Sequence, residues 1–110
     1  MTTTYQAPHE VRDAAKLAAM VDALRRGESL PPVVVVPNGV RAITGSHRLA
    51  AWAALGMEPS ALELTDDQYQ AACDYYGAEY LDELDMEDAC RAVYETCGDE
   101  AIRAALVDQV

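Results

Sequence analysis

The stretch PPVVVVPNGV, residues 31–40, restricts the fold of this chain more than any other. Its two leading prolines cannot continue a helix and favour an extended backbone in the residues that follow. The β-branched run 33–36 is apolar on both sides, which predicts a short buried strand. The Pro-Asn-Gly sequence at 37–39 predicts a tight turn, because Asn and Gly tolerate positive φ. With a second strand over residues 40–44, the chain is predicted to form a hairpin at 33–44.

Helical patterns surround this hairpin. Residues 8–26 carry apolar side chains at i, i+3, i+4 and i+7, and Gly27 follows as a stop signal. Thr65-Asp66-Asp67-Gln68 is a capping box, which predicts a helix from Asp66 to about Tyr76 with Gly77 past its end. Other elements are predicted at 47–55, 86–97 and 99–110 as helices and at 61–64 as a brief strand. The order of elements predicts a small α+β domain with a short mixed sheet.

Length and charge limit the class of protein. A chain of 110 residues fits one domain, and its net charge is −11. Residues 1–59 carry a balance of +1, whereas residues 60–110 carry −12. The acidic half would repel a phosphate backbone, which argues against direct DNA binding. No apolar run is long enough to span a bilayer and the N-terminus lacks a signal-peptide pattern, so we expect a cytoplasmic protein with no membrane contact.

The three cysteines are expected to be buried, reduced thiols. Cys90 and Cys97 are predicted to share a helix, and about 10 Å of helix between them is too far for a disulfide. No pair has the C-x-x-C spacing, and the histidines do not flank the cysteines at zinc-ligand spacing. Cys73 is likewise expected to pack as a small apolar side chain.

The residues Gly45-Ser46-His47-Arg48 stand between the second predicted strand and a helix. A helix start leaves backbone N–H groups without partners and carries partial positive charge. Gly lets the backbone approach a ligand, Ser offers a hydroxyl, His a ring nitrogen and Arg a planar fork of donors. Together they predict a site for a phosphate-sized anion. A capped helix with a surface Arg explains the same residues without any ligand.

The segment GESLPPVVVVPNGVRAITGSHRLAAWAALG, residues 27–56, resembles the ParB/sulfiredoxin-like superfamily. Its members show a helix ending in Gly, then Pro and an apolar strand, a turn, and a second strand leading into G-x-x-R-x-x-A. Here that motif is residues 45–51. The resemblance covers about residues 8–64 and implies a single domain, 1–110, in which residues 65–110 form an acidic helical extension packed on the family core.

The same resemblance implies a nucleotide ligand. Members of the superfamily hold nucleotide phosphates on the G-x-x-R turn and helix start. Phosphate contacts are therefore expected from Gly45, Ser46, His47 and Arg48, with ATP or CTP and Mg²⁺ as the ligand. Because the fold also hosts sulfiredoxins, ParB partition proteins, kinases and nucleases, it does not by itself choose an activity.

Departures from the family patterns narrow the activity. Ser46 stands where sulfiredoxins have a catalytic Cys, and a hydroxyl cannot replace that thiolate, so sulfiredoxin activity is not expected. The second phosphate motif and helix-turn-helix domain of ParB partition proteins are not recognisable after Gly56. An NTPase or phosphotransferase would need a carboxylate near the phosphates, and Glu28 is the best placed by topology. Arg41 could add a phosphate contact. For both, a solvent-facing side chain is the alternative.

The acidic helical half, residues 66–110, suggests a second hypothesis from a different class. Five tyrosines lie among its carboxylates. Tyr with apolar neighbours is usually a packing residue. The same features would also suit a non-catalytic interaction or inhibitor protein that engages a basic or DNA-binding partner. A small phage or mobile-element protein that inhibits a DNA-binding enzyme would fit this hypothesis.

Overall fold

Five α-helices and two short strands form the part of the chain described by the computed structural model, residues 4–107. The α+β class predicted from the sequence is confirmed. In chain order the elements are α1 (Ala14–Arg25), β1 (Val33–Val35), α2 (Ser46–Ala54), β2 (Ala61–Glu63), α3 (Asp66–Tyr76), α4 (Met86–Thr96) and α5 (Glu100–Leu106), with a 3-10 turn (Leu81–Glu83) between α3 and α4.

Strand β1 is the centre of the molecule. It pairs with β2 in parallel, with Val33 opposite Ala61 and Val34 opposite Leu62, and α2 lies in the connection between them. Its alternating side chains enter two different apolar clusters. Val34 packs into a cluster with residues of α3, α4 and α5, whereas Val33 and Val35 pack into a cluster with residues of α1 and α2. Helices α1 and α2 and the acidic helices α3–α5 therefore pack on opposite sides of this one strand.

The predicted hairpin turn is present, but its second arm is not a strand. Asn38 and Gly39 have φ values of 70° and 66°, as the turn requires. The amide of Val36 donates to the Arg41 carbonyl at 2.9 Å, and the residue after Arg41 makes a single antiparallel bridge to β1. Within residues 4–107, the opposite edge of this arm pairs only with Gln6, and no regular ladder forms on either side. The described sheet is consequently a parallel pair and not the mixed sheet that we expected.

The helix predicted from residue 8 begins only at Ala14. Asp13 is its N-cap, and its side chain accepts a hydrogen bond from the Lys16 amide at 3.0 Å. Residues 8–13 are non-helical, and their backbone bonds instead to side chains at the start of α2. Asp is a preferred N-cap residue, and Asp13 followed by two alanines marks the start of α1. The prediction from the apolar spacing alone did not use this signal and placed the start of the helix too early.

The acidic half follows the sequence predictions closely. The capping box of Thr65 and Gln68 is present, and α3 ends at a left-handed Gly77. The cysteines are buried free thiols, as predicted. Burial raises the pKa of the Cys90 thiol to about 11, so the group stays protonated. None of the helices within residues 4–107 has the length and apolarity needed to cross a membrane.

Candidate functional site

The start of α2 is fixed by a glycine in a left-handed conformation. Gly45 has φ of 96° and is the N-cap residue of α2, and its carbonyl accepts the first helical hydrogen bond from Leu49 at 2.8 Å. A Cβ atom at this position would overlap Val33 Cγ1 and lie 3.2 Å from Arg48 Nε. Glycine is therefore required both by the backbone conformation and by close packing against β1.

A cavity of about 320 Å³ opens at this helix start. All four residues of the Gly45–Arg48 motif line it, so the structure brings the predicted phosphate contacts to one place. Lys16 from α1 and His9 from the N-terminal segment join them in the wall. None of the lining residues within the described range 4–107 is an Asp or Glu, although the whole chain has 19 of them. The described lining of the cavity is thus cationic, whereas the chain as a whole is strongly acidic.

The opening amides of α2 belong to residues that line this cavity. Ser46 and His47 are the first two helical residues, and neither amide meets a hydrogen-bond acceptor among residues 4–107. Ser46 does not cap the helix, because its Oγ accepts a hydrogen bond from the His9 amide at 3.2 Å. Two backbone donors therefore remain at the positive end of the helix, where an oxyanion would be stabilised.

The histidine pair has a defined pattern of ring hydrogen bonds. His47 Nε2 accepts from the Asp13 amide at 3.1 Å, which leaves its Nδ1–H as the donor of the neutral ring. His9 Nδ1 donates to the carbonyl of Glu10 at 2.6 Å. The two ring centroids lie 6.0 Å apart in an edge-to-face arrangement. His47 is consequently oriented by the segment that precedes α1, and the second nitrogen of each ring has no hydrogen-bond partner among residues 4–107.

Arg48 has a structural role that the sequence did not reveal. Its side chain is buried, with 6% of the residue exposed, and Nη1 donates to the carbonyls of Pro31 and Pro32 at 2.9 and 2.7 Å. These bonds tie the start of α2 to the entry of β1. The Arg48 residue also lines the cavity.

Thr44 adds a buried hydroxyl to the wall of the same cavity. Its residue exposure is 1%. Its hydroxyl meets no partner with regular hydrogen-bond geometry within residues 4–107, but it lies against the Cys90 thiol, where its contact acts to lower the pKa of that thiol. The motif G-x-x-R gave no indication of this residue.

Two predicted site residues lie elsewhere. Glu28 is exposed and pairs with Arg26, with Oε2 at 2.8 Å from Nε, and it is not part of the cavity wall. Arg41 forms an ion pair with Asp82 at 3.0 Å and lines a different, larger cavity. Within residues 4–107, no group of three or more His, Cys, Asp or Glu side chains is arranged to hold a metal ion.

Sequence reasoning missed His9 and Lys16. His9 lies 37 residues before Ser46, and nothing local in the sequence connects the two. A composition signal for Lys16 did exist, because it is the only lysine of the chain. A unique lysine on the polar side of α1 could have been tested as a site residue.

Comparisons with known proteins identify no relative. No family model matches the sequence, and neither a curated protein nor a solved structure matches the chain.

Proposed function

We propose that the chain binds the phosphate groups of a nucleotide at the start of α2. The observation that carries the proposal is the 320 Å³ cavity, whose described lining combines Lys16, Arg48 and two histidines with no carboxylate. Such a distribution in a chain of net charge −11 favours an anionic ligand at this point. The ParB/sulfiredoxin-like resemblance of residues 8–64 supports the same ligand class.

Each group has a distinct part in the proposed binding. The amides of Ser46 and His47 donate to phosphate oxygens at the positive end of α2. Lys16 supplies a point charge, and the Nδ1–H of His47 supplies a directional donor. Arg48 acts mainly as a positioning residue, because it anchors the helix start to Pro31 and Pro32.

The arrangement favours binding over hydrolysis or phosphoryl transfer. Phosphoryl-transfer sites use a carboxylate to hold Mg²⁺ or to orient the nucleophile. Glu28 is paired with Arg26 outside the cavity, and the described lining contains no other carboxylate. Any Mg²⁺ would therefore arrive coordinated by the phosphates and water of ATP or CTP.

The test is a calorimetric titration of the full chain with inorganic triphosphate, ATP and CTP in the presence of Mg²⁺. Loss of a charge-assisted hydrogen bond costs about 1.5–3 kcal/mol, so Lys16→Gln should weaken binding at least tenfold. Arg25→Gln is the matched control, because Arg25 is an exposed cation on the same helix outside the cavity; it should change the affinity less than twofold. If none of the three compounds binds, the proposal is wrong.

A second candidate is a non-catalytic interaction face on the acidic half. Tyr75 and Tyr76 are 48% and 42% exposed and form an edge-to-face pair with centroids 4.9 Å apart. Exposed aromatic rings beside carboxylates suit Arg or Lys side chains of a basic partner. This candidate is favoured if a lysine- and arginine-rich peptide binds the wild type and Tyr76→Ala weakens that complex while no nucleotide binds.

A further inference from the structure

A cavity of about 710 Å³ lies between the segment that precedes α1, the hairpin arm that follows Gly39 and the start of α4. Its described lining shares only His9 and Met86 with the cavity at the start of α2. None of the groups proposed to donate to phosphate belongs to this lining. Small-molecule sites typically have volumes of about 300–1,000 Å³, so the cavity is a separate candidate for a ligand.

The apolar part of this lining is continuous with the core. Five of its residues belong to the apolar cluster around Val34 or pack against that cluster: Val36, Ile43, Leu81, Leu84 and Met86. Two further residues leave large apolar surfaces exposed, because Val40 is 67% and Tyr80 is 54% exposed. Apolar side chains of a ligand would be stabilised here by removing this surface, together with their own, from water.

The charged residues of the lining are divided by sign between its elements. Arg12 of the N-terminal segment and Arg41 of the hairpin arm are basic, whereas the 3-10 turn and the start of α4 contribute the carboxylates of Asp82, Asp85 and Glu87.

Only some of these charges are used within the fold. Arg41 and Asp82 form an ion pair at 3.0 Å, and the side chain of Asp85 caps α4. Arg12 and Glu87 are both exposed, and neither forms an ion pair with a residue in the range 4–107. One cation and one carboxylate of the lining are therefore left for a ligand that carries both signs of charge.

We propose that this cavity binds a short apolar peptide with a free ammonium group and a free carboxylate. The peptide carboxylate pairs with the guanidinium of Arg12, which matches it with two parallel donors, and the ammonium group pairs with Glu87. The apolar side chains of the peptide cover the surface that Val40 and Tyr80 leave exposed. A ligand with charge of one sign would be attracted by one part of the lining and repelled by the other. This inference does not depend on the proposed phosphate binding.

The experiment is a calorimetric titration of the full chain with trileucine, N-acetyl-trileucine and trileucine amide. Acetylation removes the ammonium charge and amidation removes the carboxylate charge, while the three leucine side chains stay the same. Trileucine should bind about fivefold more tightly than either capped form, because a partly exposed ion pair contributes up to about that factor. No binding of trileucine, or equal affinities for the three peptides, would overturn the proposal.

Two charge variants assign each end of the peptide to its residue. Arg12→Gln should remove the discrimination against the amide and keep the discrimination against the acetylated form, and Glu87→Gln should do the reverse. Arg25→Gln and Glu95→Gln are the matched controls, because both residues are exposed and line none of the described cavities; both discriminations should persist in them. The proposal is wrong if Arg12→Gln and Glu87→Gln weaken all three peptides equally or leave both discriminations unchanged.

Discussion

Replacing Gly45 by Ala tests the close approach of α2 to β1. Two costs add at this position. A non-glycine residue in a left-handed conformation loses about 1–2 kcal/mol, and an extra methyl group forced into a packed core costs about 1–3 kcal/mol. Because the new Cβ would overlap Val33 Cγ1, the free energy of unfolding should fall by about 2–5 kcal/mol. Domains of this size have only about 5–15 kcal/mol in total.

The opposite end of the same helix provides the control. Gly56 has φ of 63°, yet a Cβ there would meet no atom within 4 Å. Gly56→Ala therefore carries the backbone cost without the packing cost. Urea unfolding followed by circular dichroism gives both free energies, provided that the slopes against urea concentration agree. Equal destabilisation of the two variants, within about 0.5 kcal/mol, would refute the contact between Gly45 and Val33.

Three further predictions follow from buried or capping groups. Arg48→Ala should lower the free energy of unfolding by about 2–4 kcal/mol without any ligand, because the carbonyls of Pro31 and Pro32 lose a charged donor; a stable variant in chemical unfolding would contradict this. Asp99→Ala should cost about 1 kcal/mol in the same measurement, because Oδ1 of Asp99 accepts from two amides at the start of α5. Because of Cys90, the free energy of unfolding should fall as the pH rises from about 8.5 towards 11. In this range the thiol of the unfolded chain releases its proton while the thiol of the folded chain keeps it. The fall should reach up to about 1.4 kcal/mol per pH unit. Cys90→Ala should flatten that part of the stability curve, and an unchanged slope would contradict the assignment.

Local patterns predicted most of the helical architecture. The capping box at Thr65, the stop at Gly77 and the turn at Asn38-Gly39 depend on residues within a few positions of one another, and the structure has all three. What failed were elements whose boundaries depend on distant partners. The arm after Gly39 is not a strand because, among the residues that the structure describes, its outer edge meets only Gln6, which lies more than thirty positions away.

In the candidate site, too, residues close together in the sequence were predicted and residues from distant segments were not. The motif at 45–48 was recognisable because its members are adjacent in sequence, and the structure places them around one cavity. His9 and Lys16 come from other segments, so no spacing rule could join them to it. The burial of Arg48 could not be predicted either. Its partners are backbone carbonyls, and every residue has a backbone carbonyl whatever its side chain.

The extended segment before α1 closes one side of the cavity at the start of α2 through long-range hydrogen bonds. Its bonds to Ser46 and His47 close loops of 37 and 34 residues, whereas the helices around it depend on contacts between near neighbours. Closure of long loops is entropically costly and follows local structure in folding. The segment 6–13 can also detach while both apolar clusters stay packed, because none of its residues is fully buried. Binding of a ligand in the cavity at the start of α2 should then slow hydrogen exchange at the amides of His9 and Asp13. The exchange rates of amides in the apolar clusters should change much less.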